Sequence, residues 1–245
     1  MKTGLFTLVS TEHLTSKVAL LHFSGNTDAI SVPGQFVTVS LPGFFLHRPF
    51  SVLDWGPGWL ELLVEQVGPG TAQLHRLAAG STIEITTGLG NGFSLKDSGK
   101  APLLIGGGSG IAPLLGLAKR LFDSGAAFST VLGFRSAEDV CCVERFESCS
   151  GSLKVYTEDG TVAQKGRVTD AKVLQRCSMF YACGPKAMLQ AVCQITDAPG
   201  ELSLDVRMGC GFGACMGCSI RTVSGMRRVC KDGPVFRKED LLWEV

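Results

Sequence analysis

The sequence predicts a β-barrel plus α/β fold: an antiparallel β-barrel over residues 1–98, an α/β unit with a parallel sheet over 99–199, and a small cysteine-rich tail over 200–245. Three observations carry this. Short strand-like segments recur through the first third, apolar strands alternate with amphipathic helical segments through the middle, and four Cys crowd together in the tail. The 245 residues exceed one average domain, and with 45% of them hydrophobic and 18% charged the chain is excluded from the disordered class.

In the first third the segments LFTLVS, SKVALLHF, QFVTVSL, RPFSVLD, WLELLVEQV and STIEITT are each strand-sized and are separated by Gly, Pro, Asn and Asp turns. Six such strands close together predict a small antiparallel barrel. Near Leu103 the texture changes to LLI, PLLGLAKRLF, FSTVLGF, LKVYT, VTDAKVLQR, MFYACG and PKAMLQAVCQI, the pattern of a parallel sheet wrapped by helices. In the first helix Leu114, Leu117, Ala118 and Leu121 share one face, Pro113 suits the first turn and Gly125 the end. Beyond Gly200, ELSLDVR reads as a strand, and CSIRTV and MRRVC as a hairpin joined by Ser224 and Gly225. So small a tail needs a staple to fold.

Bulk charge excludes some partners. The 23 basic and 22 acidic residues nearly cancel, so neither nucleic acid nor an anionic membrane is recruited by net charge. Residues 101–118 carry no charge, but Pro102, Pro113 and five Gly break them into a strand, a turn and a helix rather than a membrane span. The opening MKTGLFTLVSTEHL has one Lys and a short apolar stretch interrupted by Thr, Ser and Glu12, unlike a signal peptide, which predicts a cytoplasmic, reducing location. There the ten Cys are expected as metal ligands, catalytic groups or buried small hydrophobes rather than disulfides.

Cys210, Cys215 and Cys218 are separated by four and then two residues in RMGCGFGACMGCS, and Cys230 follows on the second arm of the hairpin. The first three reproduce the spacing of plant-type 2Fe-2S ferredoxins, with a shorter final gap. Gly209, Gly211, Gly213 and Gly217 let the loop curl so that amides point at sulfur. A structural zinc is the competing reading, since Cys separated by two residues also ligate zinc. The remaining Cys141, Cys142, Cys149, Cys177 and Cys193 are expected to be buried small hydrophobes.

In LLIGGGSGIAPLLGLAKRLF, residues 106–110 lie directly between a strand and a helix, where free amides and a positive helix end can meet a phosphate. The run departs from G-x-G-x-x-G at Pro113, and a tight strand-to-helix turn explains it equally well in isolation. YACGP, again at a strand end, adds weight to dinucleotide binding, because two such ends line one crevice in a parallel sheet. In HRPFSV, Arg48 can fork onto a diphosphate and Ser51 can meet a polar ring edge; a surface Arg beside an edge-strand Pro is the competing reading.

Together RPFS, GPGT, GLGNGF, GGGSGIAP, ACGP and the four-Cys tail resemble the electron transfer subunit of type B dihydroorotate dehydrogenase, in the ferredoxin reductase superfamily. The resemblance spans nearly the whole chain, and the cluster appended after the nucleotide domain is its most telling part. It implies an FAD-binding barrel, with Arg48, Pro49, Phe50 and Ser51 as flavin motif, Leu63, Val64 and Glu65 as second contact strand, and Gly70 and Thr71 as phosphate turn. It implies that Gly107, Gly108, Ser109, Gly110, Ile111, Ala112 and Pro113 face an NAD diphosphate. Ser51 and Cys183 are the implied catalytic positions, Ser51 near the reactive flavin nitrogen and Cys183, with Gly184, bordering the nicotinamide. Cys210, Cys215, Cys218 and Cys230 are the implied 2Fe-2S ligands. The contact strand reads LVE where many relatives have an aromatic or basic residue.

The resemblance further implies an FMN-containing dihydroorotate dehydrogenase catalytic subunit as partner, in a heterotetramer with two copies of each, with no nucleic acid and no membrane. Electrons then run from that subunit through the cluster and FAD to NAD+, in pyrimidine biosynthesis. Arg221, Arg227, Arg228, Lys231, Arg237 and Lys238 against Asp232 can steer an acidic partner face, with a solvated hairpin as the competing reading. Other functional readings are a sulfhydrogenase gamma or transhydrogenase small subunit of the same superfamily, and a non-catalytic zinc-stabilised binding module.

Overall fold

The structure is a computed structural model that describes residues 1–96 and 98–243; Asp97, Glu244 and Val245, which fall in the predicted first and third segments, lie outside the described residues. Six strands form the barrel: β1 (Lys2–His13), β2 (Val18–Ser24), β3 (Phe36–Val39), β4 (Arg48–Gly56), β5 (Trp59–Glu65) and β6 (Thr82–Leu89). They close in the order β1-β2-β5-β4-β3-β6, all pairs antiparallel, as the six alternating segments predict. Phe6, Leu8, Leu21, Phe23, Val37, Leu60, Leu62 and Ile85 fill the interior. The sequence pattern did not reveal α1 (Pro69–His75).

β4 is only half paired at its start. Its residues 48–51 pair with β3, where Phe36 faces Ser51 and Thr38 faces Pro49, whereas pairing with β5 begins at Val52. Pro49 has no N–H to give a ladder, so it sits where none is required. Arg48 through Ser51 therefore form an open seam in the wall of a closed barrel, rather than an edge strand.

The second sheet has seven strands. β7 (Pro102–Gly107), β8 (Ser129–Phe134), β9 (Ser152–Thr157), β10 (Gln164–Lys165), β11 (Met179–Cys183) and β12 (Gly200–Ser203) are parallel, and β15 (Val235–Arg237) is antiparallel to β12. Their order is β10-β9-β8-β7-β11-β12-β15. The sheet does not stop at residue 199, since β12 and β15 come from the tail. Helix α2 (Ala112–Asp123) buries Leu114, Leu117, Ala118 and Leu121 on the sheet as predicted, and Gly125 beyond its end has φ +74°. Two shorter helices, α3 (Val143–Glu147) and α4 (Lys186–Ile195), flank the sheet. The VTDAKVLQR segment forms two 3-10 turns, at Val168–Asp170 and Lys172–Gln175.

The tail adds a hairpin of β13 (Ser219–Thr222) and β14 (Gly225–Arg228), followed by the single turn α5 (Val229–Asp232). Cys141, Cys142 and Cys149 are buried, while Cys177 and Cys193 are half-buried. Among the described residues no helix is long and apolar enough to cross a membrane, and residues 101–118 form β7, a 3-10 turn and α2.

Barrel and sheet share a core. Val18, Leu53 and Leu63 of the barrel pack with Leu104, Leu114, Leu117 and Tyr181 of the α/β part. α2 lies against β4, with Gly116 so close that a Cβ there would stand 3.2 Å from Trp55, and the Arg120 guanidinium stacks 3.8 Å over the Trp55 ring. Asp54 of β4 pairs with Lys119 and, at 3.8 Å, with Arg145; Arg145 also pairs with Glu61 of β5.

Candidate redox site

A cleft of about 630 Å³ opens where the order of the parallel strands reverses, between β7 and β11. Gly107, Gly108, Ser109 and Gly110 line it from one strand end, and Cys183, Gly184 and Pro185 from the other. The two ends touch backbone to backbone. A Cβ on Gly110 would stand 2.6 Å from Gly184 Cα and 2.7 Å from the Cys183 oxygen, and one on Gly107 would stand 2.5 Å from Met188 Sδ. Ile111, Ala112 and Pro113 are buried in the core and seat α2 instead of lining the cleft.

Cys183 is 5% exposed, and its thiol is pushed up to about 12, first by desolvation and further by the nearby Asp205 carboxylate, against a hydrogen bond with Ser203. It is a neutral thiol at physiological pH. Burial also raises Asp205, which lines the same cleft.

The barrel contributes Val18 and Glu65 to this cleft, and Ser109 Oγ donates a 2.8 Å hydrogen bond to Glu65 Oε2 across it. The contact strand therefore meets the nucleotide turn directly. Leu63 and Val64 have buried side chains, and the Val64 carbonyl is bonded to His75 Nε2 at 2.8 Å, so β5 offers a ligand little beyond main chain and Glu65.

At the open seam, Arg48 donates to the Leu46 carbonyl and its guanidinium lies 4.5 Å over the Phe44 ring. A Cβ on Gly70 would stand 2.8 Å from Arg48 Nε, so the absence of a side chain there admits the guanidinium. Thr71 points into its own turn. Its hydroxyl accepts from the amides of Val67 (2.9 Å) and Gly68 (3.1 Å) and donates to the Gly68 carbonyl (3.0 Å). The seam, Arg48 and the small turn at Gly70 together fit a flavin diphosphate and ring.

In the tail the four predicted sulfurs fall into two pairs. Cys210 and Cys215 exchange amide-to-sulfur hydrogen bonds of 3.4 Å each way, and Ala214 donates to Cys210 Sγ at 3.2 Å. The Cys230 amide donates to Cys218 Sγ at 3.4 Å. Desolvation is the largest influence on the Cys210 thiol and raises it, but the amides of Cys215, Phe212 and Ala214 and the Cys215 side chain outweigh it, leaving the thiol at about 6. Cys230 is pushed up to about 12 by desolvation and by the adjacent Cys218. A Cβ on Gly209 would come within 3.1 Å of Cys215 Sγ, so the loop curls as the glycines predict. Among the described residues no group of three or more His, Cys, Asp or Glu is placed to hold a single metal ion. Two thiolates for each of two irons is the division a 2Fe-2S cluster takes, and these residues fit it.

Residues 104–194 match an oxidoreductase NAD-binding domain, and residues 205–242 match the iron-sulfur cluster binding domain of dihydroorotate dehydrogenase B. The chain is 40% identical, over 86% of its length and 87% of the other's, to the dihydroorotate dehydrogenase B (NAD(+)) electron transfer subunit of Caldanaerobacter subterraneus subsp. tengcongensis. It is 37% identical, over 99% of both chains, to the subunit of that name from Geobacillus sp.. The chain belongs to this electron transfer subunit family. Its structure is also similar to an NADH-dependent reduced ferredoxin-NADP oxidoreductase, with a TM-score of 0.87 and 30% identity over 99% of this chain and 91% of the other. As a member of the dihydroorotate dehydrogenase B electron transfer family, the chain is an oxidoreductase subunit that works with FAD, a 2Fe-2S cluster and NAD.

Residue patterns alone missed several features of the site. The Asp54, Lys119 and Arg145 network and the cleft residues Arg167 and Asp205 have no local signature. For the cleft residue Glu158 the signal was its place directly after the third predicted parallel strand.

Proposed function

We propose that the chain carries electrons from the FMN-bearing catalytic subunit of a dihydroorotate dehydrogenase to NAD+, in pyrimidine biosynthesis, within an assembly of two copies of each subunit. The names of the relatives support the partner, and the two-of-each stoichiometry rests on the family resemblance. In this reading residues 1–98 serve the flavin, 99–199 the nucleotide and 200–245 the cluster, although β12 and β15 of the last segment complete the nucleotide sheet.

The observation that carries the reading is the route from surface to cleft. Cys215 is exposed, whereas Cys218 and Cys230 are 3% and 2% exposed and pack with Phe36 and Leu89 of the barrel. Phe36 is the residue that faces Ser51 across the ladder. Cys215 is thus the sulfur nearest solvent, while Cys218 and Cys230 pack on the barrel beside the flavin motif, where Gly211 of the same loop also meets Thr38, the residue facing Pro49. When bound, flavin exchanges hydride with nicotinamide and single electrons with an iron-sulfur centre, which neither of those does with the other.

The protein groups position and exclude water. Arg48 and Gly70 hold the flavin diphosphate, Thr71 fixes the turn, and Pro49, Phe50 and Ser51 with the main chain of residues 63–65 border the ring. Gly107 through Gly110 hold the nucleotide diphosphate, and Cys183 and Gly184 border the nicotinamide as a neutral wall. No proton donor or acceptor for dihydroorotate is required on this chain.

The test uses the complex with its catalytic partner. Cys218→Ser is expected to abolish dihydroorotate-driven NADH formation while NADH-to-dye reduction persists, which also reports a folded flavin site. Undiminished dihydroorotate-driven NADH formation by that variant overturns the route. The likeness to the ferredoxin-NADP oxidoreductase supports a second reading, a transhydrogenase-type small subunit. Co-purification with an FMN-bearing dihydroorotate oxidase decides for the first.

A further inference from the structure

We propose that Glu158, through its ion pair with Arg167, makes this subunit select NAD(H) against the 2′-phosphorylated nucleotide. The inference rests on the nucleotide reading of the cleft given above and extends it to the adenosine end.

The sheet order fixes which end that is. With the diphosphate over the turn after β7 and the nicotinamide on the β11 side, the adenosine extends the other way, over the ends of β8 and β9. Adjacent strands are about 4.8 Å apart, so the end of β9 lies roughly 10 Å from the turn, within the span of an adenosine. Arg135 after β8, Glu158 after β9 and Arg167 line that end of the cleft.

Both members of the pair stand on fixed backbone. The Glu158 amide donates to the Phe134 carbonyl at 3.1 Å and the Asp159 amide to the Arg135 carbonyl at 3.2 Å, which prolongs the ladder past the strand ends. Asp159 Oδ1 accepts from the Thr161 amide and hydroxyl, and Thr161 Oγ1 in turn accepts from the Ala137 amide at 2.8 Å. Opposite, the Gly166 amide donates to the Thr157 carbonyl at 3.0 Å and the Arg167 amide to Asp170 Oδ2 at 2.8 Å. Arg167 Nε then meets Glu158 Oε1 at 3.2 Å in an exposed ion pair, the Arg167 side chain 72% and the Glu158 side chain 49% accessible to solvent.

The chemistry follows from charge. A carboxylate accepts hydrogen bonds from the adenosine ribose hydroxyls and repels a phosphate dianion, while an Arg at the same place accommodates that phosphate. This chain has two guanidiniums at that end, and Glu158 both occupies one of them and supplies the repulsion. Without the carboxylate, Arg135 and Arg167 would form a phosphate clamp. Asp139 also lines the cleft, but Glu158 is the carboxylate paired with Arg167, and the discrimination is assigned to it.

The test is calorimetry on the flavin-loaded complex with ADP-ribose and with 2′-phospho-ADP-ribose, beside NADH- and NADPH-driven dye reduction by the same preparations. The wild type is expected to bind ADP-ribose at least about tenfold more tightly than its 2′-phosphate. Glu158→Gln is expected to shift that ratio by at least about tenfold toward the phosphate, through tighter binding of 2′-phospho-ADP-ribose, with a parallel rise in NADPH kcat/KM. Adding Arg167→Gln should reverse the gain; its persistence overturns the ion pair as the cause. An unchanged ratio in Glu158→Gln, or wild-type preference for the phosphate, overturns the proposal while the cleft reading stands. Failure of ADP-ribose to bind the wild type overturns the cleft reading and the proposal with it.

Discussion

At Gly110 a single methyl group decides whether two loops can meet. Its Cβ would face backbone, which cannot yield, whereas at Gly108 there is open space and only φ +55° opposes a side chain. Gly110→Ala is therefore expected to raise the KM for NADH at least about tenfold and to cost about 1–3 kcal/mol in a urea melt. Gly108→Ala should cost about 1–2 kcal/mol with a smaller change in KM. Cys183 makes a different prediction. A raised thiol keeps native and unfolded states equally protonated below the ordinary thiol value of 9.0, and its contribution to stability declines only as pH rises from there toward about 12. Cys183→Ala should thus lower the rate of NADH-to-dye transfer without changing the shape of its pH profile between about pH 6 and 8.

Among the elements, the cluster loop depends on its neighbours in the hairpin. Arg228 donates to the Gly213 carbonyl at 2.6 Å and pairs with Asp232 at 3.6 Å, so it ties the loop to α5. Among the described residues Arg227 donates to Ser224 alone. Arg228→Glu is expected to lower the iron content of purified protein by half or more, whereas Arg227→Glu leaves it unchanged; iron per polypeptide is the measurement. Lys238 donates to the Thr196 carbonyl, and Arg237 lies 3.9 Å from Glu239 at the surface. The six barrel strands and α2 were legible because their apolar period is local. α1 was not, since seven residues opening on Pro-Gly-Thr carry too little periodicity, and the three-residue β15 joins the sheet only through β12, far back in sequence. The glycine turns could be read as strand ends, but the meeting of Glu65 with Ser109 depends on docking two separate parts.

Across the whole molecule, barrel and sheet behave as one unit. Their shared core includes Leu53 and Leu63, and Asp54 answers both Lys119 and Arg145. Asp54→Ala leaves two cations without that partner in a partly solvated interface. It is expected to lower unfolding free energy by about 1–2 kcal/mol, between the values for exposed and buried pairs, in a urea melt that remains a single transition. The open seam at Arg48 through Ser51 has a further consequence, for supply rather than for electrons. In the proposed reading flavin binds at that seam, and a ligand that binds only the folded barrel adds stability as its free concentration rises. In a cell short of riboflavin, more of this subunit would stand unfolded and be degraded, so its abundance would follow the vitamin that its chemistry uses.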